Sequence, residues 1–401
     1  MSGEFDYLIV GAGFSGLTVA ERMATLHGRR SLVVDRRRHI GGNAHDHHDD
    51  HGVLIHPYGP HYFRTNSNKV RDYLSLFTRW HPVDYRILSW SDGRFWSFPI
   101  NLETFEQLIG RESTSEEMEA WLAERRVPID SPSNSEEVIL SQVGHELYEK
   151  FFKGYTMKHW RRHPRELDPS VCGRIPIRTS RDSRYLREKF QALPADGYNA
   201  MFERMLAAGR GRVELKLGVD YRELLPHLRF RHLVYSGAVD EFFERRFGAL
   251  PYRSLRFEPE SFTPGQLRSR RSLAGRPGFW QPAMQVNYPN DEEFTRIVEI
   301  KHATGQHCDN TTIVREFPAD YTAGAEPYYP IPAPDAAARY RRYRELAAEA
   351  AGNPALAPHI PPAAGCTGIS FIGRLATYRY YNMDQVVGMA LTECERLAAR
   401  S

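Results

Sequence analysis

"DYLIVGAGFSG", residues 6–16, decides the fold because it joins a continuous apolar stretch to a turn with three glycines. The apolar residues predict a buried parallel strand, and "LTVAERMATLH", residues 17–27, has the apolar spacing of a helix. "SLVVD", residues 31–35, predicts a second strand. A strand, a glycine turn, a helix and another strand within about 30 residues indicate the βαβ unit that binds dinucleotides.

The three glycines have the spacing G-x-G-x-x-G at residues 11, 13 and 16. The first lets the chain turn sharply, the second lets the backbone approach a pyrophosphate, and the third lets the helix pack closely. An acid at the end of the second strand is placed to accept the ribose hydroxyls. We therefore expect the following residues at the cofactor: Gly11, Gly13, Phe14, Ser15, Gly16, Asp35 and Arg36.

Two further glycine turns favour FAD over NAD as this cofactor. "RRRHIGGN", residues 36–43, follows the acidic residue directly and brings Gly42 and Asn43 towards the cofactor. "FIGRLATY", residues 371–378, reads as a late strand that runs into a turn with Arg374. Flavoproteins of the glutathione-reductase type commonly close their FAD site with such a strand. We therefore expect all three residues to contact FAD.

Composition excludes several classes of protein. The chain has 401 residues, of which 41% are apolar and 26% charged, which is typical of a globular protein with more than one domain. No apolar run approaches the roughly 20 residues of a membrane span, and no secretory signal is visible. Four scattered cysteines favour a reduced, cytoplasmic location. The net charge of +3 comes without a nucleic-acid-binding module, so we expect no nucleic-acid partner.

"GGNAHDHHDDHGVLIHPYGPHYF", residues 41–63, contains six histidines and resembles a metal site at first sight. Alternating residues on each side of Asp49-Asp50-His51-Gly52 instead predict a hairpin with a tight turn. A zinc site would also need supporting groups around its ligands. We therefore expect no metal, and of these histidines only His61 is expected to be functional.

The order of predicted elements indicates an α/β fold: a Rossmann-like FAD-binding domain with an inserted helical domain and an antiparallel β-sheet domain. The terminal segments share the dinucleotide-binding pattern, the middle is amphipathic and helical, and short alternating strands surround it. The predicted domains are a FAD-binding domain of residues 1–80, 192–245 and 345–401, a helical insertion of residues 103–171, and an antiparallel sheet or substrate domain of residues 81–102, 172–191 and 246–344.

Eight blocks of the sequence, in order from one end of the chain to the other, resemble those of the UDP-galactopyranose mutases. The blocks are "YGPHYF" (58–63), "FPINLETF" (98–105), "GYTMKHW" (154–160), "RIPIRTSRDSRY" (174–185), "YSGAVDEFFERRFGALPYRSLRFE" (235–258), "TRIVEIKHATGQ" (295–306), "EPYYPIP" (326–332) and "GRLATYRYYNMDQVV" (373–387).

The resemblance implies an isomerase that contracts the ring of UDP-galactopyranose to UDP-galactofuranose. In the family, N5 of the reduced flavin displaces UDP from the sugar, and the flavin–sugar adduct opens, recloses and is recaptured by UDP without net redox change. FAD must be reduced beforehand, so NAD(P)H or another reductant is implied besides the UDP-sugar. A role in cell-wall polysaccharide biosynthesis is also implied, and a homodimer is left open.

The resemblance also implies a role for individual residues. Arg174, on a segment that forms a mobile lid in the family, and Arg296 match the diphosphate arginines, and His61 is expected near the isoalloxazine. Tyrosines suit the same diphosphate because a phenol donates a hydrogen bond without adding charge. The other implied substrate contacts are Asn101, Phe151, Tyr155, Thr156, Trp160, Tyr185, Arg253, Asn287, Tyr329, Tyr380 and Asn382, and Tyr380 and Met383 are further implied cofactor contacts.

Two positions depart from the family pattern, and two other functions stay open. Arg64 stands where the family often has a second histidine, and Asn382 where it often has an aspartate. An FAD oxidoreductase of the amine-oxidase type shares the nucleotide fold, but an amine substrate would not need the diphosphate-binding residues. A mutase that acts on another nucleotide sugar, such as UDP-N-acetylgalactosamine, differs by one substituent that the sequence does not reveal.

Overall fold

The computed structural model describes residues 4–269, 272–322, 326–331 and 334–399. Its strands are β1 (Glu4–Val10), β2 (Ser31–Asp35), β3 (His47–His48), β4 (Leu54–Ile55), β5 (Phe63–Thr65), β6 (Trp80–Pro82), β7 (Ile87–Ser91), β8 (Arg94–Phe98), β9 (Phe190–Pro194), β10 (Val213–Leu217), β11 (Arg229–Tyr235), β12 (Tyr252–Phe262), β13 (Gln285–Asn287), β14 (Arg296–Val298), β15 (Thr311–Asp320), β16 (Tyr329–Pro330) and β17 (Gly368–Phe371). Its helices are α1 (Phe14–His27), α2 (Asn68–Leu74), α3 (Leu102–Ile109), α4 (Ser115–Arg125), α5 (Ser135–Tyr148), α6 (Gly154–Trp160), α7 (Ser170–Gly173), α8 (Gly197–Ala208), α9 (Tyr221–Leu224), α10 (Val239–Phe242), α11 (Pro264–Ser269), α12 (Lys301–Thr304), α13 (Pro334–Gly352), α14 (Gly373–Ala376) and α15 (Met383–Ala398).

The first sheet is parallel and has the order β10-β2-β1-β11-β17. The second half of its central strand, residues 7–10, is apolar without interruption because both faces are covered there, as in other parallel sheets. Helices α1, α8 and α15 pack together on one side, and α13 packs against β17. The sequence therefore predicted this Rossmann-like layer correctly, including the contribution of the last strand from the far end of the chain.

The second sheet has seven strands in the order β16-β12-β15-β14-β13-β7-β8, and it is antiparallel except for the pair β13–β7. Helices α3 to α7 form a separate cluster whose core includes Leu122, Ile139 and Val143, each fully buried. The predicted combination of a Rossmann-like layer, a helical insertion and an antiparallel sheet is confirmed.

The strands of the first sheet lie within residues 1–80, 192–245 and 345–401, and those of the second within 81–102 and 246–344. Residues 172–191 differ, since they add no strand to the second sheet. Strand β9 at their end instead pairs with β5 and β6 in a small third sheet. The domain boundaries themselves stay a prediction.

The histidine-rich stretch forms the predicted hairpin of β3 and β4. Asp49 fixes its turn, because Oδ1 accepts hydrogen bonds from the backbone N–H groups of His51 and Val53, both at 2.9 Å. The rings of His45 and His47 stack 5.6 Å apart on one face. Within the described ranges, no three His, Cys, Asp or Glu side chains are grouped as a metal site would require.

In the described part of the chain, no helix combines the length and apolar character that a transmembrane segment needs.

Candidate active site

The first of two adjoining cavities lies where β1 and β2 end and α1 begins. Gly13 precedes α1 without a side-chain cap, and the first turn of the helix has no acidic residue. Its N–H groups therefore form a binding site for an anion such as a pyrophosphate. A Cβ atom on Gly16 would lie 2.0 Å from the carbonyl oxygen of Gly11, so the helix approaches the turn as closely as the motif predicts.

Asp35 ends β2 with its carboxylate held by the glycine turn. Oδ2 accepts a hydrogen bond from the N–H of Ala12 at 2.8 Å, and Oδ1 accepts one from the N–H of Arg37 at 2.9 Å. Two backbone donors orient the carboxylate, and its remaining lone pairs can accept hydrogen bonds from ribose hydroxyls. The geometry is that of a dinucleotide-binding acid.

Most of the predicted cofactor residues line this first cavity. They are Gly11, Gly13, Phe14, Ser15, Asp35, Arg36, Gly42, Asn43, His61, Arg374 and Met383. Gly16 lies beneath the turn, where it permits close packing, and Tyr380 lines the second cavity instead. Several residues of the lining were not predicted from the sequence, among them Arg37, Asp220, Arg222, Glu241, Glu326 and Tyr328. Of these, only Arg37 carried a signal, since it follows the ribose acid by two positions.

His61 faces the first cavity as a neutral imidazole. Burial and the charges of Arg374 and Arg296 lower its pKa to about 4. Nδ1 lies 2.8 Å from the carbonyl oxygen of Gly59, which can only accept, so the proton is on Nδ1. Its Nε2 is therefore a hydrogen-bond acceptor.

The second cavity is enclosed by α6, the residues that follow α7, and strands β13, β14 and β16. The predicted substrate residues that line it are Phe151, Tyr155, Thr156, Trp160, Arg174, Tyr185, Asn287, Arg296, Tyr329 and Tyr380. A π-helical turn, Glu149–Lys153, precedes α6 and contains Phe151. Such turns often occur at functional sites because they redirect side chains.

Arg296 is held rigidly in the wall of the second cavity. Its Nε and Nη2 donate to Oε2 of Glu316 at 2.9 and 2.6 Å, and Glu316 is 1% exposed. Burial alone would lower the pKa of Arg296, but the Glu316 carboxylate outweighs it and raises this pKa. A fully charged guanidinium with N–H groups left over suits a phosphate.

Gln285 connects this arginine to Asn287. Its Oε1 accepts from Nη1 of Arg296 at 3.4 Å and from the Tyr62 hydroxyl at 3.2 Å, while Nε2 donates to Oδ1 of Asn287 at 2.8 Å. The bond to Oδ1 fixes the Asn287 amide orientation, and its NH2 group has no protein partner among the described residues. Asn287 therefore presents donors to a sugar.

A layer of tyrosines and arginines lies between the two cavities. The rings of Tyr329 and Tyr380 stack 5.3 Å apart, and the guanidinium of Arg374 lies 5.4 and 5.5 Å from them. The guanidinium of Arg174 lies 4.8 Å from the centre of the Tyr380 ring. Desolvation of the Tyr380 hydroxyl raises its pKa, but the charges of Arg174 and Arg374 outweigh this and lower the pKa. The Tyr380 hydroxyl is therefore a strengthened hydrogen-bond donor.

Three predicted substrate residues do not line the second cavity. Asn101 is fully buried, and its side chain caps α3 by accepting from the N–H of Thr104 at 3.1 Å. Arg253 is 3% exposed behind the cavity wall, where it donates to the carbonyl of His159 and to Asp320. Asn382 precedes α15 and accepts from Nη2 of Arg64 at 3.0 Å, so the two positions that depart from the family pattern bind each other.

The second cavity is also lined by residues that were not predicted from the sequence, namely Phe98, Phe152, His159, Val171, Cys172, Ile175 and Gln285. His159 had a local signal, because it lies between Tyr155 and Trp160 on α6. Gln285 lies two residues before Asn287 on the same strand, so alternation along a strand predicts that the two share a face.

Comparison with known proteins matches both parts of the chain. Residues 150–380 match the family model of the UDP-galactopyranose mutases, and residues 9–77 match an NAD(P)-binding Rossmann-like domain. A probable UDP-galactopyranose mutase from Klebsiella pneumoniae is 34% identical over 96% of this chain and 93% of its own length. A dTDP-fucopyranose mutase from Escherichia coli is 32% identical over 97% of each. The crystal structure of a reduced UDP-galactopyranose mutase superposes with a TM-score of 0.70 at 14% identity, covering 99% of this chain and 94% of the other.

Proposed function

Because the chain belongs to the UDP-galactopyranose mutase family, we propose that it interconverts UDP-galactopyranose and UDP-galactofuranose with FAD as its cofactor. The observation that carries the proposal is the contact between the two cavities. Arg374 lines the dinucleotide cavity and also lies over Tyr329 and Tyr380 in the second. A cofactor and a sugar nucleotide bound in these cavities would meet at this layer, as a reaction on the sugar requires.

The residues present fit FAD. The helix N-terminus at Gly13 and the Asp35 carboxylate suit its pyrophosphate and ribose, while Gly42, Asn43 and Arg374 line the same cavity. When bound, reduced FAD would supply the nucleophile for the anomeric carbon, and the isomerisation would involve no net redox change. Neutral His61 presents the Nε2 acceptor towards the cofactor cavity.

The arginines retain the leaving group. UDP released from the sugar must stay bound so that the rearranged sugar can be recaptured, and forked guanidinium donors hold a diphosphate without reacting with it. Arg296 is fixed by Glu316, whereas Arg174 is exposed and rests on the Tyr380 ring. We assign Arg296 to permanent diphosphate binding and Arg174 to closure over the bound substrate.

The aromatic wall at α6 is assigned to the nucleotide base. Phe151 and Thr156 are 3% and 5% exposed, and Tyr155 lies beside them. Stacking and apolar contact bind a base in this way and also exclude water from the reacting sugar.

The identity of the nucleotide sugar is tested with a panel of substrates. The E. coli relative is named for a dTDP-linked 6-deoxy sugar, so the panel contains UDP-galactopyranose, UDP-N-acetylgalactosamine and dTDP-fucopyranose. We expect the highest kcat/KM for UDP-galactopyranose. A higher kcat/KM for dTDP-fucopyranose would show that this sugar nucleotide is the substrate of the same ring-contraction reaction.

The reaction type is tested under anaerobic conditions with dithionite. We expect turnover only when the flavin is reduced, with no stoichiometric consumption of reductant. Consumption of one reductant per product would contradict the mutase. An oxidoreductase of the amine-oxidase type would instead need the oxidised flavin and would consume an oxidant such as O2.

Three further properties belong to the proposal. NAD(P)H is proposed as the reductant, which anaerobic bleaching of the flavin by NADH or NADPH would measure. A cytoplasmic location is supported by the four cysteines, all of which are free thiols. We also propose a homodimer, and light scattering would measure the molecular mass in solution.

A further inference from the structure

Lys158 lies on α6, on the outer side of the second cavity, and among the described residues its ammonium group donates hydrogen bonds to one segment only. Nζ donates to the carbonyl oxygens of Tyr288, of Glu292 at 2.8 Å and of Phe294 at 3.2 Å. These belong to the connecting loop, residues 288–295, which joins β13 to β14. An ammonium group has three N–H donors, so all of them are used and none is left for a ligand.

The connecting loop has two more contacts with the same helical region. The side chain of Asn290 donates to the carbonyl of Lys150 at 3.2 Å. A Cβ atom on Gly154 would lie 2.4 Å from the carbonyl oxygen of Pro289, so only glycine permits this close approach at the start of α6. The loop and the helix are therefore packed against each other along their length, and Lys158 supplies the charged side chain that links them.

The two elements joined in this way carry opposite halves of the proposed substrate site. Tyr155, Thr156 and Trp160 are on α6. Asn287 ends β13 and Arg296 begins β14, so they flank the connecting loop on either side. The distance between the base-binding wall and the diphosphate-binding wall is thus set across this loop.

We propose that Lys158 is a positioning residue that holds the base-binding helix and the diphosphate-binding strands at the spacing of one nucleoside diphosphate. This inference rests on the proposed function, because it takes UDP as the ligand that spans both walls. Two walls at the right spacing bind the two ends of one ligand more tightly than either end alone, since the second contact becomes intramolecular. Loss of the spacing therefore weakens the binding of the whole ligand and leaves the binding of each separate part unchanged.

The electrostatics of Lys158 agree with a structural bond. Burial lowers its pKa to about 8, although Glu292 and Asp291 oppose this shift. Among the described residues no carboxylate pairs with Nζ directly, so the charge is stabilised by carbonyl dipoles. Methionine is an unbranched side chain only one atom shorter than lysine and removes all three donors, which makes Lys158→Met the informative variant.

The test compares the binding of UDP, uridine and inorganic pyrophosphate to the oxidised holoenzyme by titration calorimetry. For Lys158→Met we expect the Kd of UDP to rise about tenfold, while those of uridine and pyrophosphate change by less than about twofold. The matched control is Lys153→Met, which removes the Lys153–Glu149 ion pair on the same helical segment; among the described residues the Lys153 ammonium group has no hydrogen bond to the loop. An unchanged UDP affinity, or equal losses for all three ligands, would overturn the inference.

A second measurement does not depend on nucleotide binding. The N–H of Tyr288 donates to the carbonyl of Thr295 at 2.8 Å across the base of the loop, so its hydrogen exchange reports on the loop. We expect hydrogen exchange in residues 288–295 to be faster in Lys158→Met than in the wild type. In Lys153→Met we expect the wild-type exchange rate, and the flavin content of both variants should be unchanged. If the wild type failed to bind UDP while this exchange difference persisted, the proposed substrate would be wrong and the structural bond would stand. Equal protection in both variants would overturn the bond itself.

Discussion

Arg37 and Glu326 form an ion pair across the mouth of the dinucleotide cavity. Nη2 of Arg37 donates to Oε2 of Glu326 at 2.8 Å and also to Oδ1 of Asn43 at 2.7 Å. Arg37 follows β2 of the parallel sheet, whereas Glu326 precedes β16 of the antiparallel sheet, and both residues line the cavity. The pair therefore connects the two sheets over the space that FAD would occupy.

Glu326→Gln is expected to speed the release of FAD about two- to fivefold. The substitution removes one charge and keeps an oxygen acceptor, and a partly exposed ion pair contributes up to about 1 kcal/mol. Flavin fluorescence after dilution measures the release rate. The control is Glu214→Gln, which breaks the pair with Arg30 at the distant end of the sheet. Equal release rates in both variants would show that the pair does not retain the cofactor.

Substitutions at Gly13 and Gly16 should distinguish the effect of the glycine turn on FAD binding from its effect on folding. A Cβ atom on Gly13 would have no heavy atom closer than 3.7 Å, whereas one on Gly16 would lie 2.0 Å from a backbone oxygen. We expect Gly13→Ala to unfold within about 1 kcal/mol of the wild type, because only the helix N-cap changes. Its FAD affinity should fall at least about tenfold, because the methyl group occupies the place of the pyrophosphate. Gly16→Ala should lose about 3 kcal/mol or more of folding free energy, because the helix must shift.

Thermal unfolding of the apoproteins and FAD titration measure these two effects. Normal FAD affinity in Gly13→Ala would show that the cofactor does not approach this residue, and a stable Gly16→Ala would contradict the close packing of α1.

Much of the dinucleotide site could be predicted from sequence because its chemistry is local. The glycine spacing and the following acid lie within one βαβ unit, so the backbone itself places Gly13 and Asp35 at the cavity. Glu326 could not be predicted in this way, since its role depends on how the antiparallel sheet meets the Rossmann-like layer. No local pattern records a contact between residues that are 289 positions apart.

The second cavity shows the limit of a carried-over role. The side chain of Asn101 caps a helix by accepting a backbone N–H. Arg253 donates to a backbone carbonyl and to Asp320 and does not face the cavity. Residue type alone does not distinguish a side chain that binds a ligand from one that satisfies a buried polar group. Gln285 was missed for the converse reason, because an amide between hydrophobic residues on a short strand resembles ordinary sheet structure.

Alanine variants of the two proposed diphosphate arginines should lose activity to a similar extent but differ in stability. Arg174→Ala and Arg296→Ala are each expected to lower kcat at least about 100-fold while FAD stays bound, because each removes charge from the leaving group. Arg296→Ala also leaves the buried Glu316 carboxylate unpaired, which should cost about 3 kcal/mol of folding free energy. Arg174 pairs with no carboxylate in the described part of the chain, so its variant should keep its melting temperature.

Steady-state rates and thermal unfolding of the two holoenzymes distinguish these effects. Glu316→Gln added to Arg296→Ala should restore most of the stability and none of the turnover. Near-normal rates in either single variant would remove that residue from the proposed mechanism.

Two histidines with lowered pKa values, the buried His56 and the partly exposed His61, should make the protein sensitive to acid. His56 is 4% exposed, and its Nδ1 accepts from the N–H of His61 at 3.2 Å. Burial lowers the pKa of His56 to about 3 and that of His61 to about 4. Below the ordinary pKa of about 6.5, the unfolded chain binds protons that the folded chain does not, so the folding free energy decreases as the pH falls from about 6.5 towards 4. Each histidine contributes a slope that approaches about 1.4 kcal/mol per pH unit.

His56→Asn isolates one of these contributions, because its amide oxygen can still accept the hydrogen bond from His61. Urea unfolding at pH 7, 6 and 5, with FAD in constant excess, should show a shallower loss of stability in this variant than in the wild type. The depressed pKa of His61 remains in both proteins, so the acid sensitivity should fall without vanishing. An identical slope in the two proteins would mean that His56 gains its proton at an ordinary pH and that its burial does not control the charge.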